Sequence, residues 1–211
     1  MKMNKKLVNY LLYTIQIFCL IILISIFHFA CKDRLLMVFV ASQKNDIEVL
    51  VNDDDKKFYL NYFLEMLPQK IIDDFNDNDW EIIIDDKNSE YFEKYKNTNV
   101  IGLTNFTQKK IILSKNSEAL FSATIHEFGH YVDYLNGKIS ETDEFLDIMK
   151  KESKAYRKNF LVFINYNFTH ANKDSQEYFA EMFQQYIMFP NITKLYAPLT
   201  CEYIQEIIDS L

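Results

Sequence analysis

His126 and His130 stand four residues apart with Glu127 between them, in the run His126-Glu127-Phe128-Gly129-His130. On a helix, positions i and i+4 lie one turn apart on the same face. Two imidazole nitrogens can then meet one tetrahedral metal ion at about 2.0–2.1 Å each. Glu127 lies beside the pair, where its carboxylate can reach a water on that metal. Zinc lowers the pKa of its water to about 7, and a carboxylate takes the proton as hydroxide attacks a carbonyl. The chain has four histidines, and two of them form this pair. A structural zinc site closes its sphere with four protein ligands, usually including Cys. Here Cys201 is the only Cys outside the apolar N-terminal stretch and its edge. The pattern points to an open, catalytic metal position.

A third ligand must come from elsewhere. Asp174 to Met188 reads as a helix ended by Pro190, with Phe179, Met182, Phe183 and Tyr186 on its core side. Glu177 and Glu181 stand on another face at i, i+4. Glu177 can complete a two-His, one-Glu site, and Glu181 can accept a hydrogen bond from a ligand imidazole and fix its tautomer. Glu177 also occupies the capping-box position relative to Asp174, where its carboxylate would bind backbone N–H instead. Spacing alone leaves both roles open.

The run His126-Glu-Phe-Gly-His130-Tyr-Val-Asp133-Tyr134, followed further on by Glu177-Tyr-Phe-Ala-Glu181-Met-Phe183, resembles the metallopeptidase domain of anthrax lethal factor. It is similar also to the Pro-Pro endopeptidases, which share that domain. The likeness is strong over the C-terminal half and looser over Leu67 to Asp85. It implies a zinc endopeptidase with His126, His130 and Glu177 as ligands, Glu127 as general base and Glu181 behind the ligands. The family places a Tyr ahead of the Glu ligand to stabilise the oxyanion, and here that position holds His170. An imidazole N–H can do the same work. Tyr166 is the equivalent if the loop has shifted, and neither residue serves if His170 is a solvent-facing loop histidine. Degenerate copies of this domain type dock to partner proteins, so a weak or inactive protein-binding module is the rival reading. A zinc hydrolase acting on another amide is more remote.

Several elements must hold these residues in place. Ser117 to Leu135 reads as the active-site helix, with Phe121, Ile125, Phe128, Val132 and Leu135 in one apolar stripe and a stop at Asn136-Gly137. Small Ala119 and Ala123 leave space above the histidines. Val100 to Leu103 and Lys110 to Leu113 suggest a β-hairpin around a four- or five-residue turn, whose edge strand can pair with an extended substrate. Trp80 to Ile84 reads as a strand, Ile47 to Val51 as another, and Lys56 to Met66 as an amphipathic helix. Pro68 opens a helix running to Phe75. Further helix starts fall near Thr142, at Asp174 and at Thr200. The order predicts an α+β, zincin-like domain with a small mixed sheet. Asp133 is expected to orient the helix or a neighbouring backbone group, and Tyr131 and Tyr134 to pack. The aromatic run Phe160 to Phe168 is either core or a wall of the substrate cleft.

Composition narrows the remaining classes. A net charge of −7 with no basic stripe argues against a nucleic-acid partner. The acidic runs at Asp53 and Asp73 read as solvated turns or helix ends rather than a calcium loop, which needs a longer register with a central Gly. Three cysteines give no disulfide framework; a Cys31–Cys201 bridge is conceivable, and isolated thiols fit better. Leu7 to Ala30 is nearly continuous apolar sequence, about 36 Å long as a helix and enough to cross a bilayer. Lys2, Lys5 and Lys6 place its start in the cytoplasm. The expected organisation is a cytoplasmic N-terminus and membrane anchor over 1–33, a tether over 34–45 and the metallopeptidase domain over 46–211. That puts the domain outside the cell at the membrane, or secreted if the segment is a cleaved signal; lipidation at Cys31 is the third option. The substrate is left unspecified: Pro-rich targets, kinase targets and self-processing all fit this scaffold.

Overall fold

The computed structural model describes residues 49–50, 60–86, 89–95, 100–115, 123–157 and 174–211. All of them belong to one compact unit, Ala41–Leu211. Among the described residues no helix is long and apolar enough to cross a membrane; Leu7 to Ala30 lies outside them.

The architecture is α+β. Strands β1 (Val49–Leu50), β2 (Glu81–Asp85), β3 (Gly102–Asn105) and β4 (Lys110–Ser114) form one sheet in the order β1-β2-β4-β3. β1 pairs parallel with β2, β2 parallel with β4, and β3 antiparallel with β4. The sheet is therefore mixed, and β3 lies at its edge. β4 is central, which explains why Ile111, Ile112 and Leu113 are all fully buried and why its sequence is an unbroken apolar run. β2 alternates, with Ile82 and Ile84 turned into the core. The β3–β4 turn spans the four residues from Phe106 to Lys109, and Lys109 takes a left-handed φ of 53°. Asn105 closes it by accepting from the Gln108 N–H.

Residues 60–64 are helical, within the stretch read as an amphipathic helix, and further helices follow the same logic: α1 (Gln69–Asp77), α2 (Thr124–Leu135), α3 (Asp143–Arg157), α4 (Ser175–Met188), α5 (Pro190–Tyr196) and α6 (Pro198–Ser210). α1 buries Ile71, Ile72 and Phe75, spaced as an amphipathic helix requires. α2 buries Ile125, Phe128 and Val132, as the apolar stripe predicts. It ends where Gly137 takes φ +75°, a conformation that favours glycine. It starts at Thr124, with Ala123 as the residue before it, and not at Ser117 as the apolar stripe suggests; Ser117, Ala119 and Phe121 lie outside the described residues. α3 is capped by Thr142, whose Oγ1 accepts from the Phe145 N–H, and α4 by Asp174, which accepts from the Glu177 N–H.

Two further helix boundaries depart from expectation. Pro190 does not merely end α4; it occupies the first turn of α5, where its missing N–H costs nothing. Thr200 is not a cap, because Pro198 already opens α6. The first-turn N–H groups of Leu199 and Thr200 donate instead to the carboxylate of Glu152, at 2.9 Å each, and the Thr200 hydroxyl donates to it at 2.7 Å. A buried carboxylate on α3 thus caps a helix remote in sequence.

Candidate metal centre

Two helices that cross closely build the site. A Cβ added at Gly129 would lie 2.7 Å from the Ala180 Cα and 3.0 Å from its carbonyl oxygen. Glycine at this point of α2, facing alanine on α4, lets the two backbones approach. That approach brings the polar faces of both helices to one place. His126 Nε2 lies 3.5 Å from Glu177 Oε2, and His130 Nε2 lies 3.8 Å from Glu177 Oε1. Two atoms bound to one tetrahedral zinc are about 3.4 Å apart, so the observed spacings fit. One ligand atom from each of His126, His130 and Glu177 lies within 4.8 Å of the others. The imidazoles stand nearly perpendicular, with ring centroids 4.9 Å apart.

Glu177 meets Asp174 and the histidines through different groups. Its backbone N–H binds the Asp174 cap, while its carboxylate turns to the histidines. Glu181 is buried behind His126, with Oε2 4.0 Å from Nδ1. That is within ion-pair reach and beyond hydrogen-bond length. The Glu181 carboxylate accepts instead from Gln185 at 3.2 Å, and His126 Nδ1 has no hydrogen-bond partner among the described residues.

The electrostatics follow from three carboxylates around two buried rings. Burial pulls the His126 imidazole down, but Glu177, Glu127 and Glu181 together lift it above the ordinary histidine value. Burial wins at His130, which is held below that value. Burial pushes Glu181 up to about 7, against the opposing pull of His126. A donor set of two imidazoles and one carboxylate, with further acidic groups beside it, is chemistry suited to a divalent cation such as zinc.

Glu127 sits on the sheet side of the pair, 6% exposed. Its Oε2 accepts a 2.7 Å hydrogen bond from the Thr104 hydroxyl on β3, and its Oε1 would lie 2.5 Å from a Cβ at Gly102. The carboxylate therefore rests directly against the edge strand.

A scan against protein families matches residues 87–207 to the family described as "Anthrax toxin lethal factor, N- and C-terminal domain". The chain belongs to that family. Among solved structures it is similar to the Pro-Pro endopeptidase PPEP-2 from Paenibacillus alvei, with a TM-score of 0.56 and 20% identity. The match covers 76% of this chain and 96% of that one, and at this identity it speaks to the fold alone. A search of curated proteins returns no match.

Other sequence candidates fall into structural places. Asp133 accepts from the N–H and hydroxyl of Ser140, both at 2.7 Å, and so fixes the turn after α2. Tyr131 is fully buried, and its hydroxyl donates to Asp74 on α1 at 2.7 Å. Tyr134 is 42% exposed and stacks on Phe106 at 4.4 Å between ring centroids, joining the hairpin tip to α2. Asp74 therefore anchors α2, a role that a solvated acidic run does not suggest. Cys201 is a buried free thiol, pushed up to about 12 by burial. His170, Tyr166, the run 160–168 and Cys31 lie outside the described residues. Thr104 and Gly102 carried no signal in the sequence, since only the packing of β3 on α2 sets them against Glu127.

Proposed function

We propose that this protein is a zinc-dependent endopeptidase that hydrolyses peptide bonds of an extracellular protein substrate. The observation that carries the reading is the convergence of His126, His130 and Glu177, with the Glu127 carboxylate buried beside them against an edge strand. Membership of the lethal factor family and likeness to a protein named as an endopeptidase support it.

His126 and His130 would hold the ion through Nε2, and Glu177 through its carboxylate. Bound zinc supplies Lewis-acid polarisation of the scissile carbonyl and makes water a stronger acid. A substrate segment lies extended along β3 and pairs with it through main-chain hydrogen bonds. Glu127 takes the proton from the attacking water and returns it to the leaving amine. His170 donates to the negative oxygen of the transition state. Leu7 to Ala30 holds the domain at the outer face of the cell membrane; fractionation of cells, with external protease added, tests this placement.

The central test uses the full chain, with metal analysis and a peptide library. One zinc per chain and cleavage at defined bonds are expected. E127Q should keep its zinc and lose about 10²- to 10⁴-fold in turnover. An E127Q variant as active as wild type would rule the mechanism out. Zinc bound without cleavage of any peptide would favour the protein-binding module instead.

A further inference from the structure

The main-chain pattern of β3 and the side-chain bond of Thr104 concern one residue. The Ile101 carbonyl accepts from the Ser114 N–H at 2.8 Å, which makes Ile101 and Ser114 a hydrogen-bonded pair. In an antiparallel ladder such pairs alternate with non-bonded ones. The register Gly102↔Leu113, Leu103↔Ile112, Thr104↔Ile111 then turns the N–H and C=O of Gly102 and Thr104 away from β4, toward the side of β3 that no described strand pairs. Their side-chain positions share the face of Ile111 and Leu113, both fully buried. On that face Thr104 Oγ1 meets Glu127 Oε2 at 2.7 Å, with the Glu127 carbonyl oxygen 3.2 Å away.

Register is locked by this arrangement, since a slip of one residue would put Leu103 where Thr104 meets Glu127. Gly102 is constrained as well, because a Cβ there would meet Glu127 Oε1 at 2.5 Å and the Ala123 Cβ at 2.8 Å. An ionised carboxylate has about four lone-pair sites. One bond from Thr104 fixes its plane and leaves the other sites for a water proton.

We propose that Thr104 is a positioning residue that ties substrate docking to the general base: its main chain pairs with the extended peptide while its hydroxyl holds the Glu127 carboxylate. This rests on the peptidase reading of the site. A base displaced by a fraction of an ångström loses reactive geometry without losing the peptide, so the effect belongs in kcat rather than KM.

The experiment compares the full-length wild type, T104V, T104S and E127Q on one fluorogenic peptide taken from the library cleavage sites, with zinc content and melting temperature measured for each. Valine matches threonine in shape and lacks the donor; serine keeps it. T104V should lose about 10- to 100-fold in kcat, the scale of a hydrogen bond to a charged group, with KM within about threefold and zinc unchanged. T104S should recover most of that loss. A T104V variant with wild-type kcat overturns the proposal and leaves the peptidase reading standing. T104V that unfolds or loses zinc, or T104S as impaired as T104V, overturns it by making Thr104 a packing residue. A wild type that cuts nothing, or as fast as E127Q, overturns both.

Discussion

At the scale of single residues, the site is a balance of charge that a metal ion would complete. Without the ion, His126 holds a proton above its ordinary range and Glu181 is pushed up to about 7. Both groups keep protons in the folded protein that the unfolded chain releases. Stability is then full below the ordinary carboxylate pKa and falls as pH rises toward and past 7. His130, held low by burial, works in the opposite direction and reduces the slope. The metal-free protein should therefore melt at a lower temperature at pH 8 than at pH 5, and E181Q should flatten the dependence. A melting temperature that rises over that interval in chelator would contradict the assignment. The pairing of His126 with His130 on one helix face was legible in the sequence, because a helix converts spacing directly into geometry, whereas Glu177 was singled out by the resemblance and not by spacing. The Thr104–Glu127 bond was not, since it joins a strand to a helix and no local period encodes it.

At the scale of elements, the crossing of α2 and α4 decides whether three ligands form one site. Gly129 and Ala180 stand inside the two motif runs with no role that spacing assigns them. Their meaning is tertiary: the glycine is where a second helix backbone must pass. G129A should gain about 1 kcal/mol in helix propensity and lose about 1–3 kcal/mol in overpacking against the Ala180 backbone. The expected sum is neutral to about 2 kcal/mol destabilising, yet zinc affinity should fall clearly, because α4 carries Glu177 away from the histidines. Denaturant unfolding in chelator, paired with competitive zinc titration, separates the two effects. Unchanged zinc affinity in G129A would show that the crossing is not what assembles the site. The hairpin, helices α1 and α4, and the apolar stripe and end of α2 were readable from periodicity, capping residues and turn chemistry, while the start of α2 at Thr124 was not. α5 and the true start of α6 were not, because a proline was read as a stop where it begins a helix, and because the cap of α6 is Glu152, remote in sequence.

At the scale of the molecule, the question is whether the metal makes the fold or only completes it. The core is apolar and continuous without the site. Phe75 packs against Trp80, Phe128 and Tyr131 with ring centroids 5.0–5.9 Å apart, and Phe145 against Phe179 at 5.3 Å. α1 is pinned to α2 through Asp74 and Tyr131, and α3 to α6 through Glu152, by bonds that involve no ligand residue. The sheet orders β3 independently of the histidines. Such a scaffold keeps its shape when the ion is stripped, unlike a small zinc-nucleated domain. Zinc should then act by linkage: at a free concentration of about 100 times its Kd it adds about 2.7 kcal/mol. For a domain of this size that corresponds to a rise in melting temperature of about 5–10 °C. Chelator should lower the melting temperature by that amount and abolish cleavage, while the far-ultraviolet circular dichroism stays that of the folded chain. H126A should melt like the chelated wild type and show no response to zinc. Loss of helical signal on chelation would mean that the two helices depend on the ion to stay together, and that the apolar core is insufficient by itself.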